Sequence, residues 1–148
     1  MRSILFICAG NTCRSPMAEM ILKSKLRQKG IEDIQVSSAG EYAEEGSKMN
    51  KNSVYALTQM GYGINQDFRS KRASIELKNS YDLLIYMEKF DKWLNRLVDK
   101  VKCMDDFSKM GDIADPYGSD ENEYLKTCKQ IEFACEKIIE KIEKGELF

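Results

Sequence analysis

A buried strand that runs straight into a helix leaves a chain few folds to adopt. Here the apolar run Ile4 to Ile7 is followed at once by CAGNTCRSP, Cys8 to Pro16, and then by an amphipathic stretch. A short apolar run bounded by turn residues suits a strand covered on both faces, and such strands are joined by crossover helices into parallel sheets. The alternation continues along the chain. A helix is expected over Pro16 to Lys29, with Met17, Met20, Ile21 and Leu26 on one face and Gly30 as its stop, then a strand over Ile34 to Ser38. After the polar stretch Gly40 to Asn52 come a helix over Ser53 to Met60, a central strand within Tyr81 to Met87, a helix over Lys89 to Lys100 and a short strand over Val101 to Met104. A loop with Gly111, Pro116 and Gly118 leads to a final helix over Glu121 to Lys144, striped by Ile131, Ala134, Cys135, Ile138 and Ile142. The order β-α-β-α-β-α-β-α predicts an α/β fold, a parallel sheet with helices on both faces. At 148 residues the chain is expected to form one domain spanning residues 1–148.

Composition removes several functional classes. A formal net charge of −1 with no basic tract argues against nucleic acid or an anionic membrane as partner. No apolar run has the length of a membrane span or signal peptide, so a soluble, cytoplasmic protein is expected. The five cysteines, Cys8, Cys13, Cys103, Cys128 and Cys135, are odd in number and irregularly spaced, which suits reduced thiols. None forms the Cys-x-x-Cys spacing of a zinc knuckle, and no structural metal is expected. The chain contains no histidine. Ser-His-Asp and Cys-His hydrolases are thereby excluded, and a cysteine nucleophile would need something other than a base to generate its thiolate.

In open parallel sheets ligands bind outside the carboxyl ends of the strands where the strand order reverses, which is where Cys8 to Ser15 lies. Gly10 and Asn11 both tolerate left-handed backbone, so the loop can curl successive N–H groups into an anion-binding nest. The following helix aims its positive end into the same space, and Arg14 adds a planar fork of donors for two phosphate oxygens. The same groups would stabilise Cys8 as a thiolate, with the Ser15 hydroxyl able to donate to the sulfur. A thiolate under an anion-binding cup suits in-line attack on phosphorus, giving a cysteinyl-phosphate that water hydrolyses. A cysteine after an apolar strand is by default a small buried hydrophobe, but the strand, the Gly-Asn turn, Arg14, Ser15 and Pro16 in the first helical turn together point to chemistry. A Walker loop is not an option, since no Gly-Lys pair follows.

CAGNTCRSPMAE, together with DPYG at residues 115–118, resembles the low-molecular-weight protein tyrosine phosphatase family. The resemblance covers nearly the whole chain, including SAG at Ser38 to Gly40 and the LLIYM strand. It implies a three-layer sandwich with a four-stranded parallel sheet, no metal and no organic cofactor, and a phosphorylated protein as substrate. It makes Cys8 the nucleophile, Arg14 the phosphate binder and Asp115 the general acid that later activates water. The loop residues Ala9, Gly10, Asn11, Thr12, Cys13 and Ser15 would bind phosphate or a similar oxyanion or organise the loop, and Tyr117 and Tyr42 would wall the cleft. Asp115 also makes sense alone, because Asp-Pro-Tyr-Gly fixes a turn that can present a carboxylate.

Two departures bear on the substrate. Thr12 stands where phosphotyrosine-specific members often carry a bulky aliphatic residue, and Tyr117 is followed by Gly118 rather than a second aromatic. Both features are similar to the bacterial branch that removes phosphate from arginine, so phosphotyrosine and phosphoarginine both stay open. Arsenate reductases share the opening loop but need further cysteines able to reach Cys8. Cys128 and Cys135 lie seven residues apart on a predicted helix, about 10 Å along its axis, too far for a disulfide. Cys13 could pair with Cys8 as a reversible oxidation guard. A phosphoprotein-binding pseudo-enzyme is the non-catalytic alternative, and the joint presence of Cys8, Arg14 and Asp115 speaks against it.

Overall fold

Four parallel strands in the order β2-β1-β3-β4 form the sheet: β1 Arg2–Cys8, β2 Ile34–Gly40, β3 Leu83–Tyr86 and β4 Val101–Cys103. This is a computed structural model, and it describes residues 1–89 and 100–148. Among the described residues the helices are α1 Arg14–Gln28, α2 Lys51–Gln59, α3 Ile75–Asn79, α4 Met104–Ser108 and α5 Glu121–Glu143. Each expected strand is present, and α1, α2 and α5 begin and end within about two residues of the sequence expectation. The helix expected over Lys89 to Lys100 lies outside the described residues except at its ends. The two five-residue helices α3 and α4 have no counterpart in the sequence reading.

Alternation along β1 divides the core. Ile4, Phe6 and Cys8 face a layer built from α1, α2 and α5, where Met17, Ile21, Leu57, Ile131, Cys135 and Ile138 are fully buried. Leu5 and Ile7 face the opposite side with Leu84, Tyr86, Val101 and Cys103, against which Leu77 of α3 packs. Helical layers on both faces explain why the strands read as unbroken apolar runs. None of the five cysteines forms a disulfide and all are buried, with Cys128 and Cys135 inside the α1–α5 layer.

The chain leaves β1 through α1 to reach β2 on one side, then crosses to β3 on the other side. The carboxyl end of β1 is therefore the switch point, and the segment Cys8 to Arg14 occupies it. Register brings Cys8 opposite Gly40 and Ile7 opposite Tyr86, so the ends of β2 and β3 flank the loop.

Candidate active site

The loop's carbonyls are tied to its surroundings. Glu41 N donates to Cys8 O at 2.9 Å, Tyr42 N to Ala9 O at 2.9 Å, and Asn50 N and the Ser53 hydroxyl to Thr12 O at 3.0 and 3.1 Å. A trans peptide directs its N–H opposite to its C=O, so the N–H groups of Ala9, Gly10 and Cys13 turn the other way. Those residues line a cleft of about 230 Å³ with Cys8, Thr12, Arg14, Asp115 and Tyr117. Helix α1 begins at its rim with no side-chain cap at Cys13 and no acid in its own first turn, so its N-terminal N–H groups face the cleft. Pro16 sits in that first turn, where a missing N–H is harmless.

Of the two residues expected to supply left-handed backbone, Asn11 alone does so, with φ of 56°. Three hydrogen bonds hold its side chain, which is why an asparagine rather than a glycine stands there. Nδ2 donates to the Ser15 and Ser38 hydroxyls, both at 2.9 Å, and Oδ1 accepts from Lys71 N at 3.0 Å. Ser38 in turn donates to buried Glu19 at 2.6 Å, which Lys23 also contacts at 2.6 Å. Gly40 is required for a different reason: a Cβ there would lie 2.6 Å from Ala9 O and 2.9 Å from Asn11 N.

The Cys8 sulfur lies 2.9 Å from the Ser15 hydroxyl. That oxygen already accepts from Asn11, and its one hydrogen has two choices, Cys8 Sγ at 2.9 Å or Ala39 O at 3.3 Å. A thiolate is the better acceptor, so Ser15 is set to donate to an anionic Cys8.

Arg14 is buried and points its guanidinium at the mouth of the cleft. Its Nη1 donates to Ile113 O and to Glu88 Oε1, both at 2.7 Å, and its Nη2 lies 3.7 Å from Asp115 Oδ2. Asp115 is about half exposed, and its other oxygen accepts from Tyr117 N at 3.1 Å, an Asx turn that holds the carboxylate over the loop. Tyr117 lines the cleft with a largely exposed ring. The Tyr42 side chain is 82% exposed and outside the cleft lining, although its backbone is tied to Ala9. The structure thus brings together every expected residue except the Tyr42 ring.

Cys13 lines the same cleft but has different partners. Its sulfur lies 3.2 Å from the hydroxyl of fully buried Tyr124 on α5, and burial pushes its thiol above the ordinary value while that hydrogen bond works against the rise. A larger cavity of about 500 Å³ between the loop after α4 and α5 is lined by Met110, Ile113, Leu125 and Phe133, with no cysteine among its described residues. Size alone does not mark the chemistry. Gly40, Glu88, Ser38 and Glu19 are the site residues whose roles sequence reasoning missed.

Comparison with known proteins agrees with this geometry. Residues 3–147 match the low molecular weight phosphotyrosine protein phosphatase family. The chain belongs to that family. It is therefore a cysteine-dependent phosphatase, a hydrolase acting on phosphorylated proteins. The phosphatase is 32% identical to the protein-arginine-phosphatase of Bacillus subtilis, over 95% of this chain and 97% of that one. It is 30% identical to the low molecular weight protein-tyrosine-phosphatase PtpA of Staphylococcus epidermidis, over 97% and 96%. Among solved structures, a serine mutant of the arginine phosphatase YwlE with a phosphorylated active-site serine superposes with a TM-score of 0.87, at 31% identity and 96% coverage of both chains.

Proposed function

We propose that this phosphatase hydrolyses phosphotyrosine in proteins through a cysteinyl-phosphate at Cys8. The observation that carries the reading is the convergence of the Cys8 sulfur, the N–H face of the loop, the Arg14 guanidinium and the Asp115 carboxylate on one small cleft. The phosphate dianion enters the cup with its equatorial oxygens on the N–H groups and Arg14. Cys8 Sγ attacks phosphorus in line with the leaving oxygen, the P–O bond breaks as the S–P bond forms, and protonated Asp115 delivers its proton to the departing oxygen. Asp115, now a carboxylate, takes a proton from water as that water attacks the cysteinyl-phosphate. Phosphate leaves, and the sulfur departs as a thiolate stabilised by Ser15. Each loop donor holding the equatorial oxygens would supply a few kcal/mol of transition-state stabilisation, about 3 on the scale of a single oxyanion donor. A cytoplasmic setting fits five cysteines that form no disulfide.

One observation favours a second reading, phosphoarginine. Thr12 lines the cleft with its hydroxyl 3.7 Å from Cys13 Sγ, so the wall facing a leaving group is short and polar. A guanidinium leaving group carries N–H donors that Thr12 and Asp115 can accept, where a phenol ring would prefer an aliphatic wall. Phosphate release from a phosphotyrosine and a phosphoarginine peptide, measured side by side, decides between the two. If Thr12 sets the preference, Thr12→Val lowers the phosphoarginine-to-phosphotyrosine ratio of kcat/KM by about tenfold, the scale of one lost buried hydrogen bond. An unchanged ratio removes Thr12 as the determinant.

A further inference from the structure

We propose that the cavity between α5 and the loop after α4 is a second binding site, for an amphipathic carboxylate whose hydrocarbon chain fills the apolar interior and whose head group meets Lys126 and Lys129. Occupancy is coupled to the phosphate cup through Ile113. That coupling, though not the binding, rests on the reading of Arg14 as phosphate binder.

The cavity, about 500 Å³, shares no described lining residue with the cleft that holds Cys8. Its size lies within the range of about 300–1,000 Å³ that encloses a small-molecule ligand. One wall is a stripe of α5 on which Leu125, Lys129 and Phe133 follow one another at four-residue spacing, with Lys126 beside them. The loop supplies the other wall, with Met110 and Ile113. Met110 is 76% exposed and Phe133 39%, so two large side chains present apolar surface to whatever fills the space.

Charge selects the head group. Lys126 and Lys129 form no ion pair among the described residues. Asp112 is the one acid in the described lining, and its Oδ1 already accepts from Lys89 N at 2.8 Å. Two cations against one acid favour an anion, and the apolar interior favours a long tail. A lysine lays its stem along apolar surface and keeps its ammonium towards water, so the carboxylate sits at the rim, where it retains part of its hydration.

The inner end of the cavity reaches the back of the cup. Ile113 is almost fully buried, its carbonyl accepts from Arg14 Nη1 at 2.7 Å, and Asp115 follows two residues on. The loop is pinned at two points, where Gly111 N donates to Asp105 at 2.6 Å and Ile113 N to Met87 O at 3.1 Å. Before them the backbone is left-handed at Lys109 and again at Gly111, and Met110 between the two is held out of the core. A tail lying against Met110 and Ile113 orders this turn, so part of the ordering that phosphate binding at Arg14 requires is already made. The two ligands then assist each other, by the same factor in each direction.

The test titrates decanoate into the full chain at neutral pH by isothermal titration calorimetry, with octanoate and uncharged decanol as controls. Decanoate should bind about tenfold more tightly than octanoate, the effect of two more methylenes leaving water. In the double variant Lys126→Gln, Lys129→Gln its affinity should fall at least about fivefold while that of decanol holds. The Met110 methyl resonance, identified by its absence in Met110→Leu, should shift on binding. Inorganic phosphate should bind about fivefold more tightly with decanoate present, and decanoate by the same factor with phosphate present. No saturable binding, a double variant with wild-type affinity, or an unmoved Met110 resonance would overturn the site. Competition between decanoate and phosphate would place the carboxylate in the catalytic cleft instead, and a dimer seen by sedimentation and lost in Phe133→Ser would give the face to a second copy. Independent binding of the two ligands would remove the coupling. If phosphate binds Arg14→Ala as tightly as wild type, the error lies in the reading of Arg14.

Discussion

Replacing Asn11 by alanine should damage both stability and catalysis, and by amounts the structure sets. The side chain makes three buried hydrogen bonds, to Ser15, Ser38 and the amide of Lys71. At about 1 kcal/mol net for each bond, their loss costs about 3 kcal/mol. The backbone stands at φ of 56°, where alanine is disfavoured by about 1 kcal/mol. The total of about 4 kcal/mol corresponds to a drop in melting temperature of roughly 8–16 °C for a chain of this size. Asn11→Asp separates the two consequences. It keeps the acceptor for Lys71 and the tolerance of left-handed backbone, so it should lose only about 2 kcal/mol. Its carboxylate, however, draws the Ser15 hydrogen away from Cys8, so its kcat should fall at least as far as that of Asn11→Ala. Urea unfolding followed by circular dichroism gives the first quantity, and turnover of an aryl phosphate the second. An Asn11→Ala variant within about 1 kcal/mol of wild type, or an Asn11→Asp variant with undiminished kcat, would refute the reasoning.

Two further perturbations test other parts of the account. Gly40→Ala places a methyl group 2.6 Å from the Ala9 carbonyl, so the loop must shift; the inhibition constant of inorganic phosphate should rise at least about tenfold, and an unchanged value would show that the cup tolerates the displacement. Burial pushes the Cys128 thiol from an ordinary 9.0 up to about 12. Above pH 9 the unfolded thiol gives up its proton while the folded one keeps it, so the unfolded state binds fewer protons and stability falls as pH rises towards 12. Cys128→Ala should flatten that slope by about 1.4 kcal/mol per pH unit, read from urea midpoints between pH 9 and 11, and an identical slope would contradict the assignment.

How far the site was legible in the sequence depended on whether a residue acts through local or distant partners. Cys8, Arg14 and Ser15 are readable because the strand, turn and helix that present them are contiguous, and Asp115 because Asp-Pro-Tyr-Gly builds its own turn. Asn11 reads as a left-handed position, but its partners Ser38 and Lys71 lie 27 and 60 residues away, and only folding brings them together. Gly10 invited the same conformational reading and does not adopt it, because Asn11 takes the left-handed position instead. Glu88 carried one faint signal, a charged residue directly after an apolar strand at the switch point, and lost it to the amphipathic run that follows. The helices α3 and α4 span five residues each, too few for a periodic apolar stripe. For α3 the readable trace was its cap, Ser74, whose hydroxyl accepts from Leu77 N at 3.1 Å.

The central claim is that phosphate passes through Cys8. Acid-quenched turnover of a phosphotyrosine peptide and of a phosphoarginine peptide, followed by proteolysis and mass spectrometry, looks for that intermediate directly. The account predicts a phosphate adduct on the peptide containing Cys8 with whichever substrate is turned over, and neither adduct nor phosphate release in Cys8→Ala. Phosphate release that persists in Cys8→Ala, or an adduct carried by another residue, would contradict it.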